Sequence, residues 1–327
     1  MTNPLSFDPF GAQLSPVSLF VIAAMAMLYM HGLMQPKRFR PEPRPWQSGM
    51  LFVGFGCLLL AFNAPLAPLG RSLFSVHQIN HLLVRLLGPL LIVMAQPWGV
   101  WRAGAPRNLR RQLASMSLHP AGRVFRSPWA ATTLLIAALY IWQVPAIFGL
   151  AQRNPAIELG AHLGMAAAGL WYFSLLLDPR DPPEGMRRGA RLLSGIIVIV
   201  SNILLGSLTT LKEIALYGAT DQGAGLTPLT DETVGGYTIW VPSSMIMIVA
   251  IVLVFNGWNR SEERRWNARH ALMRQSNSAA LEFPETAEEL RLKVTRPNRD
   301  LGRTLGLAAF SMFAIVMVTA ITVASLG

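Results

Sequence analysis

Histidines at helical spacing are the first residues in this sequence that could do chemistry. The segment SVHQINH places His77 and His81 four apart, so on a helix their imidazoles stand one turn above another on the same face. Two nitrogens so placed can reach one metal ion, and the same spacing also serves two hydrogen-bonded packing residues. ELGAH repeats the one-turn spacing with Glu158 and His162. Its carboxylate is either a ligand or a helix cap at the headgroup level. Arg85 follows His81 by one further turn, deep enough in its apolar run that it either faces a protein interior with a partner or snorkels to the interface.

A fourth feature, TDETVGGYTIWVP, sets Asp231 and Glu232 before Gly235, Gly236 and Trp240, and reads as an irregular outer loop leading into an apolar run. In combination, His77, His81, His162, Glu158 and Asp231 could line one site of nitrogen and oxygen ligands, with Met245 as a soft ligand and Met247 nearby. Arg85 and Trp240 are the candidates to contact a bound cofactor. Imidazole with thioether suits copper, whereas imidazole with carboxylate also serves zinc or iron, so these residue types leave the metal open. His31, beside Met30 and Met34, belongs to the opposite end of its run. His119 and His270 fall in basic connections and read as surface residues.

The elements that position these residues must be membrane helices. Hydrophobic residues make up 52% of the 327 and charged residues only 14%, with a mean hydropathy of +0.39, more than one soluble core of this length requires. A net charge of +11 would suit nucleic acid, but the basic residues sit between apolar runs and not on one stripe, so a nucleic-acid surface is excluded. The single cysteine, Cys57, lies inside an apolar run and reads as a small core residue, with no thiolate cluster possible. The first fifteen residues hold Asp8 and no Lys or Arg, so the first run is expected to stay as a span.

The fold expected is an all-α polytopic transmembrane bundle of about eight spans. They are placed near Pro16–Met34, Ser48–Ala67, Leu73–Ala95, Pro128–Phe148, Ala156–Leu177, Leu192–Leu211, Thr238–Trp258 and Thr304–Leu326. Residues 1–258 then form a seven-span core, 259–303 a charged cytoplasmic linker, and 304–327 the eighth span. The linker's SEERRWNARHALMRQ start suits an interfacial helix or a solvated tether. Of 28 Lys and Arg residues, 24 fall in the odd-numbered connections, which by the positive-inside bias are cytoplasmic, leaving both termini outside. The four polar features all then face the non-cytoplasmic side.

The succession SVHQINHLLVRLLGPLL, WQVPAIFGLA, AHLGMAAAGLWYFSLL and TDETVGGYTIWVP resembles the membrane-integral cytochrome c oxidase assembly factor family called CtaG, of the type associated with caa-type oxidases. The likeness runs from about Ser48 to Asn256. It implies a multi-pass protein of a bacterial inner membrane that is an assembly factor and not an enzyme. Its partners would be subunits of a haem-copper oxidase, the lipid bilayer and a copper ion, held transiently at the outer face. The single-span copper chaperones that share the name depend on cysteines, which Cys57 alone does not supply.

Carried over by position, the family's H-x-x-x-H falls on His77 and His81, its later membrane histidine on His162, and its D-Q-x-x-G-G-x-x-M-W pattern on Asp231 through Trp240. Glu158 and Ala161 stand where His and Glu are expected, Gln143 where His is common, Glu232 in place of Gln and Ile239 in place of Met. These departures make the ligand set poorer in imidazole and soft donors. Two other functions fit the same residues: a haem-binding membrane oxidoreductase or haem-modifying enzyme, and a metal permease.

Overall fold

In the computed structural model, residues 15–39, 41–63, 66–118, 127–180, 185–217, 226–270, 286–288, 299–300, 302–304, 306–307, 310 and 314 are described. Among them every regular element is a helix. The chain divides into two compact units, Met1–Ala250 and Ile251–Gly327. Six helices are long and apolar enough to cross a membrane, or seven if one sharply bent pair counts as a span. Most of the expected eighth span, and both chain ends, lie outside the described residues.

Many of the long helices open on proline, whose missing N–H is one the first turn leaves unpaired in any case. Helix α1 (Pro16–Met34) starts this way after Ser15, whose hydroxyl accepts from Ser18 N. Helix α2 (Pro45–Phe62) packs on it, and the short α3 (Leu66–Ser72) follows. Helix α4 spans Phe74–Met94 and is the most enclosed, with 67% of its span buried against 22% for α1. Burial on that scale makes α4 the axis of the bundle. After it come two short helices, α5 (Trp98–Gly104) and α6 (Arg107–Leu118).

A π-turn over Leu83–Leu87 interrupts α4. Pro89 explains it: proline has no N–H for the Arg85 carbonyl, and its ring would collide with that carbonyl in a regular turn. Gly88 N bonds instead to Leu83 O, five residues back. The displaced Arg85 carbonyl is met by Gly169, where an added Cβ would lie 2.2 Å from the oxygen. Gly54 does the same on the other side of α4, where a Cβ would come within 2.8 Å of Ile92. Gly160 and Gly164 on the same helix as Gly169 have open space around their Cα atoms. Gly169 makes the close contact, because it alone of the three points at α4.

The fourth apolar run is not one straight span. Helix α7 (Pro128–Tyr140) passes into a 3-10 turn, Ile141–Gln143, and α8 (Pro145–Arg153) leaves at 79°. Pro145 forces the break: it disfavours helical geometry at Val144, which adopts φ −73° and ψ 120°. Helix α9 (Pro155–Leu176), capped by Asn154, returns beside α4, and α10 (Arg188–Thr210) packs on α7.

Helix α11 runs from Pro228 to His270, so the segment TDETVGGY is its first two turns and not an irregular loop. Its glycines serve helix contacts: a Cβ on Gly235 would strike the Phe74 ring at 2.3 Å, and one on Gly236 the Thr210 hydroxyl at 2.4 Å. From Ile251 onward the same helix continues through SEERRWNARH, with Glu262 and Arg265 paired at 3.8 Å.

Candidate metal site

The N-terminal half of α4 carries His77 and His81, and the N-terminal part of α9 carries His162. The three rings converge: His77 and His81 lie 4.3 Å apart between centroids, His81 and His162 5.4 Å, and His77 and His162 5.8 Å. Each offers a nitrogen such that all three lie within 4.8 Å of one another. Ligands at about 2.0 Å from one ion in a trigonal set stand roughly 3.5 Å apart, so small ring rotations close the set.

All three histidines are buried, at 3–4% exposure. His77 Nδ1, His81 Nδ1 and His162 Nε2 have no hydrogen-bond partner among the described residues. Buried polar atoms are rarely left so, because each loses its hydration without replacement. A metal ion is one occupant that would satisfy them. The His77 ring also bonds to the Gly70 backbone, the outer contact by which metal-binding imidazoles are commonly oriented. A chamber of about 10 Å³ lies among His77, His81, His162, Trp142, Phe148 and Glu158. That is room for a single ion or about one water.

The acids take other roles. Asp231 on α11 is fully buried and accepts from Phe74 N at 2.6 Å, Ser75 N at 3.1 Å and the Ser75 hydroxyl at 2.5 Å. It caps the start of α4 from a neighbouring helix, where the positive helix end favours a carboxylate. Its oxygens are committed to setting the register of the helix that bears His77 and His81. Glu232 accepts from the backbone N–H groups of Leu216 and Tyr217 and pairs with Lys212. This clamp holds Tyr217 in place. The Tyr217 ring stacks on Phe74 at 4.3 Å, and its hydroxyl donates to the Gln143 carbonyl. Burial holds that phenol above its ordinary pKa, so it stays protonated as a donor. Phe148 bridges from this stack to the His77 ring at 5.1 Å.

Glu158 lines the chamber, and its Oε2 accepts from Arg71 Nε at 3.3 Å and Nη2 at 3.2 Å. Gln143, where histidine is common in the resemblance, donates to Gln78 Oε1 at 2.7 Å. It ties the broken span to α4. Arg85 is 1% exposed, so it does not snorkel. Its guanidinium donates to Asn202 Oδ1 at 3.0 Å and to the Leu135 carbonyl at 3.4 Å, and its Nε has no partner among the described residues. No carboxylate among the described residues pairs with it. Met245 is half-buried on α11, and no thioether among the described residues lines the chamber. Trp240 packs against Gly206 of α10.

Residues 27–261 match the family described as cytochrome c oxidase caa3 assembly factor. The chain belongs to that family. Two uncharacterized proteins, from Mycobacterium bovis and Mycobacterium tuberculosis, are each 24% identical to this family member over 240 residues, which is 69% of its length and 36% of theirs. It therefore spans about a third of the length of these curated relatives. No solved structure matches it.

Sequence reasoning missed several residues that complete the site. Gln78 sits inside SVHQINH and was visible as a polar residue in an apolar run. Asn202 interrupts the run of α10 in the same way, and partners Arg85. Tyr217 and Phe148 gave no local signal, since their roles depend on ring contacts across the fold.

Proposed function

We propose that this assembly factor holds copper transiently on His77, His81 and His162 at the non-cytoplasmic side of a bacterial inner membrane and assists its insertion into a haem-copper oxidase. Copper is here a cargo, the oxidase subunits are the partners, and no catalytic step is assigned. The observation that carries the reading is the convergence of three buried imidazoles from two helices, each with a ring nitrogen that has no hydrogen-bond partner among the described residues. An all-imidazole set in an enclosed, largely apolar chamber suits copper or zinc. The family membership favours copper, because haem-copper oxidases need it.

The chamber volume of about 10 Å³ disfavours haem, for which a macrocycle would need far more room. Below the triad stands Arg85, a fixed positive charge with no carboxylate partner among the described residues. A cation would be repelled from passing that level, which favours a holding site over a permease path.

Metal analysis of the detergent-purified protein tests the reading. One copper per chain is expected, and none in the His77→Ala, His81→Ala double variant. Equal copper in both would refute it. In cells, deletion should lower oxidase activity in a way that added copper restores.

A further inference from the structure

Two cavities meet at one pair of residues. The chamber holding the triad is lined on one side by Glu158 and His162, and both also line a second, open cavity of about 240 Å³. The walls of this outer cavity come from the ends of α1, α2, α3 and α9, with Phe62, Pro68 and Leu159 apolar and Arg71 and Glu158 charged. On its other sides the triad is flanked by protein side chains. Phe148 and Trp142 cover it, the Phe74–Tyr217 stack backs Phe148, and Arg85 stands one turn deeper.

The ion pair on the shared wall is lopsided. Both guanidinium bonds land on Oε2 of Glu158, and Oε1 receives none among the described residues. The Glu158 side chain is 11% exposed and that of Arg71 42%. The carboxylate is therefore the fixed, enclosed half of the pair and the guanidinium the half that can turn out to water at little cost.

We propose that the 240 Å³ cavity is the vestibule through which the cation reaches the triad, with Glu158 as a transfer ligand and Arg71 as the latch that the arriving cation displaces. This rests on the copper reading of the triad. A bare ion entering an apolar chamber loses its hydration all at once, whereas a carboxylate at the wall replaces part of that shell before the imidazoles complete it. The exchange also conserves buried charge when the ion is monovalent. Carboxylate with guanidinium becomes carboxylate with Cu(I), and Arg71 is solvated outside. A divalent ion would leave one extra positive charge near Arg85, so the charge balance at the vestibule favours a monovalent cation.

The test follows anaerobic transfer of Cu(I) from its bicinchoninate complex to the full-length protein in detergent, read as decay of the complex's absorbance. Glu158→Gln should slow loading on the order of tenfold, the scale on which charged clefts raise arrival rates. Arg71→Met should speed it roughly threefold, as removal of a half-exposed competitor would. Opposite signs are the diagnostic result, because a purely structural ion pair would give the same defect from either side. Slowing in both variants, or wild-type rates in Glu158→Gln, would overturn the vestibule. Failure of Glu158→Gln to take up copper even at long times would make Glu158 a resident ligand and overturn the transfer role. Should the wild-type protein itself take up no copper, the function proposed above fails first and the vestibule with it.

Discussion

Two sets of ligand-type residues, the histidines of α4 and α9 and the carboxylates at the start of α11, sit near one end of the bundle and put their polar atoms to opposite uses. Asp231 accepts three hydrogen bonds and Glu232 anchors two backbone N–H groups and a lysine. The three histidines each keep a buried nitrogen with no hydrogen-bond partner among the described residues. Both sets are buried and drawn from metal-binding residue types, so residue type alone does not separate them. What separates them is whether the fold has already used their bonding capacity. Saturated groups hold the structure, and unsaturated ones are left for a ligand.

That division is broken or sharpened by substitution on each side. The largest effect is expected from His162→Ala, which removes the only imidazole from α9. Copper affinity should fall by at least roughly 100-fold, equal to about 2.7 kcal/mol, with a drop in melting temperature limited to the lost packing of the ring against Phe62, since its unpartnered Nε2 contributes no hydrogen bond. Cu(I) competition titration with parallel thermal denaturation measures both. A collapse of stability with affinity retained would place this histidine with the structural set.

Asp231→Ala should show the reverse pattern. It strips three hydrogen bonds from the start of α4 and leaves two buried N–H groups unpaired, a cost of about 3 kcal/mol. Thermal denaturation in detergent should show a clear drop, and copper affinity should change by less than about tenfold, since the ligands themselves remain. An intact melting temperature with copper lost would identify Asp231 as a ligand. A smaller loss, about 1–2 kcal/mol, is expected for Glu232→Gln, which weakens the clamp on Leu216 and Tyr217 while keeping an acceptor. Limited proteolysis near that segment should become faster, and protection equal to wild type would argue that Lys212 and Glu232 do not hold the cover in place.

The smallest effect lies at the other end of the molecule. Burial raises the Asp178 carboxyl, but bonds from the Arg180 side chain and backbone and the charges of Arg180 and Arg191 outweigh it, and the net position is below 3.8. A depressed carboxylate contributes stability that is present above its unfolded value and is lost as pH falls through its folded value. Melting temperature should therefore decline below about pH 4 in the wild-type protein, and less steeply in Asp178→Asn. Parallel curves for the two would remove Asp178 from the acid-sensitive set.

Much of this arrangement is legible in the sequence alone. The i, i+4 spacing of His77 and His81 fixed them to one face, since helical geometry is local. The ordered motifs pointed to the family that the match over residues 27–261 shows. The same local logic misled where two elements compete for one segment. TDETVGGY has loop-like composition, yet it is helical, and Gly235 and Gly236 allow the close approach of Phe74 and Thr210. WQVPAIF looked like the end of a straight span, and Pro145 turned it by 79°.

Composition and periodicity alone determined that the chain is helical and apolar enough for a membrane, and where its paired histidines lie along each helix. These follow from nearest-neighbour geometry and from the cost of exposed backbone in lipid. Only the tertiary structure decided that His162 faces His77 and His81, that Asp231 spends its oxygens on a helix end, and that Arg85 finds Asn202. Such pairings are set by which helices pack side by side, and they join residues far apart in the chain, 117 positions for Arg85 and Asn202 and 157 for the Asp231 cap on Phe74.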